Sequence, residues 1–204
     1  MPKIKLTYFD FAGSRGEECR LALHLAGVDF HDDRLANGVW PQLKPDTPFG
    51  SLPVLEVEGK GRLAQSNAIL RYVGTQHGLH PSDPWEAARH DAILAVCEEL
   101  RGKLGHSLAT KDEEEKKRLR EELAKGYLQQ WGRAVEQQIG DGPFVAGAKI
   151  NVADLKLFIV ANWLMKGTLD HIPKDVFADY PKLNKLVDAV KNHPDVQRWY
   201  APKS

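Results

Sequence analysis

The hydrophobic period of this chain changes once, near Trp85, and that change limits the folds open to it. Upstream, segments of period two alternate with helical ones. Ile4, Leu6 and Tyr8 alternate with Lys5 and Thr7, as in a half-buried strand entering the turn Ala12-Gly13-Ser14-Arg15-Gly16. Cys19, Leu21, Ala22, Leu23, Leu25 and Ala26 then give a helical apolar face that Gly27 is placed to end. A short strand is predicted over 30–35. Residues 36–53 hold Trp40, Pro41, Pro45 and Pro48 and read as a long ordered loop, a segment type that often carries function. Residues 54–57 and 62–64 read as a hairpin about Glu58-Gly59-Lys60-Gly61. A helix follows over 66–77, with Ile69, Leu70 and Val73 on one face and Gly78 beyond its end. Residues 1–78 therefore read β-α-β then β-β-α, an α/β unit with a mixed sheet.

After a proline-containing connector over 79–84, residues 85–204 read as all-helical. Long helices are predicted over 85–108 and 111–139. The charged run starting at Lys111 reads as a solvated helix face, because Glu113/Lys117, Glu114/Arg118 and Glu121/Lys125 are opposite charges four apart. Asn151 is placed to cap the next helix, and Asp154 to reach back to the free amide, with Ile150 and Leu155 bracketing the cap. Asp154 is thus a folding element and not a catalytic carboxylate. Further helices are predicted over 173–178 and 180–192.

Composition excludes several classes of function. Lys plus Arg equals Asp plus Glu at 28 each, so no global field draws the chain to nucleic acid or an anionic membrane. The strongly apolar run 157–165 is far shorter than the roughly 20 residues that span a bilayer. The start, Met1-Pro2-Lys3-Ile4-Lys5, lacks the apolar stretch of a signal peptide, which points to a cytoplasmic protein. Cys19 and Cys97 are too few for a disulfide framework and lack redox spacing, so both read as core filler. His77 and His80 are separated by Gly78 with no Cys or carboxylate to complete a set, and no metal site is expected. No zinc-protease, phosphate-loop or nucleophile-elbow motif is present.

Three features in residues 1–78 remain. Tyr8 ends the first strand beside a glycine-containing turn that leads to a helix; alone, such a residue is more often a packed tyrosine with a satisfied hydroxyl than a functional group. Leu52-Pro53 precedes a strand, where a cis bond is open to it. Gln65-Ser66 begins a helix, where backbone amides and the Ser66 hydroxyl would suit a carboxylate, or Ser66 is a plain cap.

Together these segments resemble the glutathione transferases: Leu6-Thr7-Tyr8-Phe9, Trp40-Pro41, Pro48-Phe49-Gly50-Ser51-Leu52-Pro53-Val54-Leu55, Gln65-Ser66-Asn67-Ala68-Ile69 and the cap Asn151 to Asp154. Within the family the chain is most similar to the sigma class and its tyrosine-type relatives. The resemblance covers nearly the whole chain. It implies an α/β thioredoxin-like N-terminal domain over 1–78, a linker over 79–84, and an all-α C-terminal domain over 85–204 carrying a second-substrate pocket and dimer contacts.

The resemblance also implies roles. Tyr8 would hold the sulfur of reduced glutathione, a co-substrate and not a prosthetic group, as a thiolate, with Arg15 beside it. Pro53 would be cis, leaving the Leu52 backbone to pair with the cysteinyl part. Gln65 and Ser66 would hold the γ-glutamyl end, and Trp40, Lys44 and Ser51 the glycyl end. Ser51 stands where lysine or glutamine is common. Of the pair Glu98-Glu99, Glu99 would reach the glutathione of a neighbouring subunit, so a homodimer is implied. A small hydrophobic electrophile would sit near Phe9, Ala12, Arg101, Leu104, Lys156, Val160 and Tyr200. Two other readings share this fold, a non-catalytic carrier or crystallin-like protein and a glutathione-dependent isomerase of prostaglandin D synthase type. Against the isomerase, Arg101, His106 and Lys156 fall where its pocket is mostly apolar or aromatic.

Overall fold

In the computed structural model, which describes residues 3–202, four strands form one sheet. They are β1 (Ile4–Phe9), β2 (His31–Leu35), β3 (Val54–Val57) and β4 (Gly61–Ala64), in the order β2-β1-β3-β4. β2 lies parallel to β1, whereas β3 is antiparallel to both β1 and β4. A parallel pair needs a crossover, and α1 (Ser14–Leu25) supplies it. Gly27 ends α1 at φ 65, its N–H donating to the His24 carbonyl while Val28 N–H donates to Leu23, each at 3.0 Å.

Residues 36–53 depart from the expected loop. They hold a one-turn helix α2 (Trp40–Leu43) and two 3-10 turns, Lys44–Asp46 and Pro48–Gly50. Pro41, Pro45 and Pro48, which signal a loop in the sequence, each occupy the first two positions of one of these turns. There the missing N–H costs nothing and the fixed φ suits the helix. α3 (Ser66–His77) follows as predicted, with Gly78 left-handed at its end and Ile69, Leu70 and Val73 in the core.

Five helices make the second half: α4 (Pro84–Ala109), α5 (Glu113–Lys125), α6 (Tyr127–Gln138), α7 (Val152–Met165) and α8 (Pro181–Lys191). The single helix predicted over 111–139 is two. Gly126 breaks it at φ −108, ψ −91, and a Cβ there would meet the Glu122 carbonyl oxygen at 3.1 Å. On α5 the charged face is built from Glu113/Lys116, Glu115/Arg118 and Arg118/Glu122. The helix predicted over 173–178 is a run of turns. Side chains from elsewhere bind two of its carbonyls, Asn184 that of Phe177 at 2.7 Å and Gln129 that of Val176 at 3.0 Å.

The cap at Asn151 forms as predicted. Asp154 Oδ2 accepts from Asn151 N–H at 2.8 Å, and Asn151 Oδ1 from Ala153 N–H at 2.8 Å. Asp154 Oδ1 also accepts from Val145 N–H at 2.7 Å, so one buried carboxylate fastens the preceding loop to α7. Cys19 and Cys97 are both buried and are not joined in a disulfide.

An unpredicted helix, α9 (Pro194–Tyr200), closes the chain. The chain divides into two compact units, Met1–Ala87 with Pro194–Ser204, and Ala88–His193. α9 therefore groups with the sheet and not with the helices before it. Both polar and apolar contacts hold it there: Trp199 Nε1–H donates to the buried Glu17 of α1 at 2.7 Å, the Trp199 ring stacks on Phe30, and Val196 is buried.

Candidate functional site

The sheet register gathers the three sequence features at one edge. Thr7 pairs with Val54, and Val54 with Ala64, in antiparallel ladders. The end of β1 at Tyr8, the entry to β3 at Leu52-Pro53 and the exit from β4 at Gln65-Ser66 are therefore neighbours. Phe9 pairs with Leu35, so the segment after β2 leaves from the same edge. It returns Trp40 to within 6.0 Å of Phe9, ring to ring. Lys44 lies against Gly50, where an added Cβ would sit 3.5 Å from its Cε, one residue before Ser51.

Tyr8 is held tightly. It is 4% exposed, with its ring 5.2 Å from that of Phe9 and 5.7 Å from that of Phe11. On the α1 side it meets Gly16, where any Cβ would fall 2.0 Å from its Cδ1. Arg15 is half-buried in the first turn of α1, which starts at Ser14 with φ 56.

Leu52-Pro53 is cis, as the resemblance implies. Gln65 sits at φ 74, ψ 111, a conformation that costs a non-glycine residue of the order of 1–3 kcal/mol and that clusters at ligand sites. The exposed Gln65 precedes Ser66, which is 4% exposed at the N-terminus of α3. The N–H groups of the first helical turn and the helix dipole there favour an anion such as a carboxylate.

A buried ionic network, not anticipated from the sequence, lies behind Tyr8. Arg20 of α1 is fully buried. Its Nε donates to Asp32 Oδ1 at 2.8 Å, Nη1 to the Phe11 carbonyl at 3.0 Å and to Glu17 Oε2 at 3.3 Å, and Nη2 to the Phe9 carbonyl at 3.1 Å. Its guanidinium carbon stands 5.7 Å from the Tyr8 ring centroid. Burial, together with the Glu17 carboxylate that its hydroxyl meets, raises the Tyr200 phenol above the ordinary tyrosine range. The one sequence signal is a pair of opposite charges, Glu17 and Arg20, three apart on α1.

In the second unit Glu99 is exposed on α4. Its neighbour Glu98 is engaged internally, Oε1 accepting from Lys156 Nζ at 2.5 Å and from Arg101 Nη1 at 2.7 Å. Of the residues expected around a second substrate, Leu104, Val160 and Lys156 are buried in this unit, and the Lys156 amine points to Glu98. Arg101 is half-buried. In the first unit Phe9 is half-buried and Ala12 exposed, while Tyr200 is 46% exposed with its hydroxyl turned toward Glu17. Among the described residues no cluster of His, Cys, Asp or Glu is arranged to hold a metal ion, and no helix is long and apolar enough to cross a membrane.

Comparison with known proteins bears on this geometry. Residues 4–75 match the family model described as glutathione S-transferase, N-terminal domain, and residues 98–203 match that for the C-terminal domain. The chain is 35% identical over 209 residues to Glutathione S-transferase 1 of Ascaris suum, covering all of this chain and 98% of that one. It is 31% identical to hematopoietic prostaglandin D synthase of Gallus gallus, covering 98% of this chain and 96% of that one. Among solved structures it is similar to a prostaglandin synthase D of Nilaparvata lugens, with TM-score 0.85, 32% identity and both chains covered in full.

Proposed function

This chain belongs to the glutathione S-transferase family, and we propose that it is a glutathione transferase in which Tyr8 stabilises the thiolate of bound glutathione. The observation that carries this reading is the register that sets Tyr8, cis Leu52-Pro53 and the strained Gln65-Ser66 helix start along one sheet edge. An extended tripeptide laid along that edge presents its γ-glutamyl carboxylate to the α3 N-terminus and its cysteinyl backbone to Leu52. Its glycyl end reaches Trp40, Lys44 and Ser51, and its sulfur reaches Tyr8.

A free thiol ionises near pH 8.5, so only a few per cent is thiolate at neutrality, and the thiolate is the nucleophile. A neutral Tyr8 hydroxyl donating to sulfur stabilises the anion by about 1.5–3 kcal/mol, which lowers the thiol pKa by about one to two. That makes thiolate a main species near pH 7. Tyr8 remains protonated throughout; Arg15 adds positive potential, and binding supplies proximity. The thiolate then attacks a small hydrophobic electrophile, a detoxifying conjugation carried out in the cytoplasm.

The working form is a homodimer. Two exposed groups support it: Glu99, the carboxylate assigned to the partner's glutathione, and Phe49, 82% exposed at φ 58. The relatives named as prostaglandin D synthases favour a second reading, an isomerase that uses the same thiolate.

The test compares wild type with Tyr8→Phe, following conjugation to a generic aromatic electrophile and the ultraviolet absorbance of bound thiolate. Tyr8→Phe should raise the bound thiol pKa by about one to two and slow conjugation at pH 6.5 by about 10- to 100-fold. Full rate with an unchanged thiol pKa refutes the mechanism. Glutathione binding without turnover across an electrophile panel makes the protein a carrier, and prostaglandin D formation exceeding conjugation makes it the isomerase.

A further inference from the structure

Arg20 is fully buried, and its guanidinium is bound on every side. Two of its donors hold the carbonyls of Phe9 and Phe11, the residues on either side of Asp10 in the turn that directly follows Tyr8. A third fixes the fork to Asp32 on β2, and Glu17 closes the set from α1. The group lies over the Tyr8 ring. A guanidinium is planar and rigid, so carbonyls bound to two of its nitrogens are fixed relative to each other. The charges facing this assembly are Glu17, Asp32, Arg34 through Asp32, Asp10 through Arg34, and the Tyr200 hydroxyl through Glu17.

We infer that Arg20 is a positioning residue for thiolate stabilisation: by gripping the Phe9 and Phe11 carbonyls it sets the turn after β1 and thereby the aim of the Tyr8 hydroxyl. The inference rests on the proposed role of Tyr8 and extends it inward. Glu17 carries the same constraint to α9, since it accepts from Trp199 on one oxygen and from Arg20 on the other. Tyr8 is thus oriented by a framework that runs from β2 through α1 to the C-terminal helix of the same unit.

Arg20→Lys tests this, because lysine keeps the charge and loses the fork. In folded Arg20→Lys the pKa of bound glutathione thiol should rise by about one, leaving up to about tenfold less thiolate at pH 6.5. The rate deficit should close by about pH 9, where thiol ionises unaided, while KM for glutathione moves by less than about threefold. A purely structural Arg20 would lower the urea midpoint and leave the thiol pKa unchanged, with the rate reduced equally at every pH, and that result overturns the inference. If Arg20→Lys does not fold, Asp32→Asn carries the test. It removes one charged partner of the fork at a position that is 18% exposed, and should move the thiol pKa the same way by less. An unmoved thiol pKa in folded Asp32→Asn overturns the inference as well. Should Tyr8→Phe raise the thiol pKa while neither network variant does, Arg20 loses its role and Tyr8 keeps its own. Should Tyr8→Phe leave it unchanged, the underlying reading falls first.

Discussion

Gly16→Ala joins the packing of α1 to the chemistry at Tyr8 in one methyl group. The added Cβ would stand 2.0 Å from Tyr8 Cδ1, 2.3 Å from Cγ and 2.8 Å from Cβ. Carbon atoms in contact sit about 3.5–4.0 Å apart, so the nearest pair falls short by about 1.5 Å. Ring rotation does not relieve this, because Tyr8 Cβ moves only with the backbone of β1, which is paired on both sides. Two terms oppose each other. Alanine is the better helix former by about 0.8–1 kcal/mol, and overpacking a buried site costs about 1–3 kcal/mol, occasionally more. With three atoms overlapped the second term lies at its upper end, so the net loss should be about 2 kcal/mol.

The functional consequence is larger than the stability change suggests. Relief requires either the start of α1 or the Tyr8 ring to move, and a hydrogen bond to sulfur tolerates little displacement. The bound thiol pKa should rise by about one or more, approaching the Tyr8→Phe value. Urea denaturation reads the first effect and thiolate absorbance against pH the second. A Gly16→Ala protein with wild-type stability and an unshifted thiol pKa would refute the claim that this contact fixes Tyr8.

Gly102→Ala is the matched contrast on α4, since nothing lies within 4 Å of the added Cβ and its φ is not positive; stability should rise by about 0.5–1 kcal/mol with conjugation unchanged, read by the same denaturation curves. Asp154 supplies a pH signature. Burial pushes its carboxyl up to about 7, against the opposing pull of the Val145 and Asn151 amides. A carboxyl raised in the folded state contributes most while protonated, so this contribution is complete below about pH 4 and lost as pH rises through 7. Wild-type stability should fall over that range by roughly 4 kcal/mol more than that of Asp154→Asn, and parallel curves would remove Asp154 as the source.

Much of the fold was legible because it rests on local rules. The β1 strand, the Gly27 and Gly78 helix ends and the Asn151–Asp154 box each depend on residues within a few positions, and each lies where the pattern put it, although Thr7, the polar residue between Leu6 and Tyr8, is buried with them. The departures share a different origin. Pro41, Pro45 and Pro48 signal loop or helix start equally well, and only the neighbouring geometry decides. Over 173–178 the chain closes separate turns, Val176 N–H to the Pro173 carbonyl and Ala178 N–H to that of Asp175, and Asn184 and Gln129, side chains from elsewhere, bind the Phe177 and Val176 carbonyls. Gly126 breaks a run whose charges alone would have sustained it.

At the candidate site, the residues could be named from the sequence, whereas the pairings that bring them near one another could not. Tyr8, Pro53 and Ser66 are distant in sequence, and the Thr7–Val54 and Val54–Ala64 pairings that unite them are properties of a sheet, not of a motif. The strain at Gln65 has no local signature either, because glutamine gives no hint of φ 74. Arg20 is the sharper case. A buried arginine on α1 looks like a defect until the turn after β1 is present to offer it two carbonyls, and on the same helix Gly16 lets Tyr8 pack closely. The small residue and the large charge are therefore parts of one arrangement. The absence of a side chain at position 16 fixes how closely Tyr8 approaches α1, and the Arg20 fork fixes the turn that follows it. Loss of either should raise the same thiol pKa, through contacts that do not overlap.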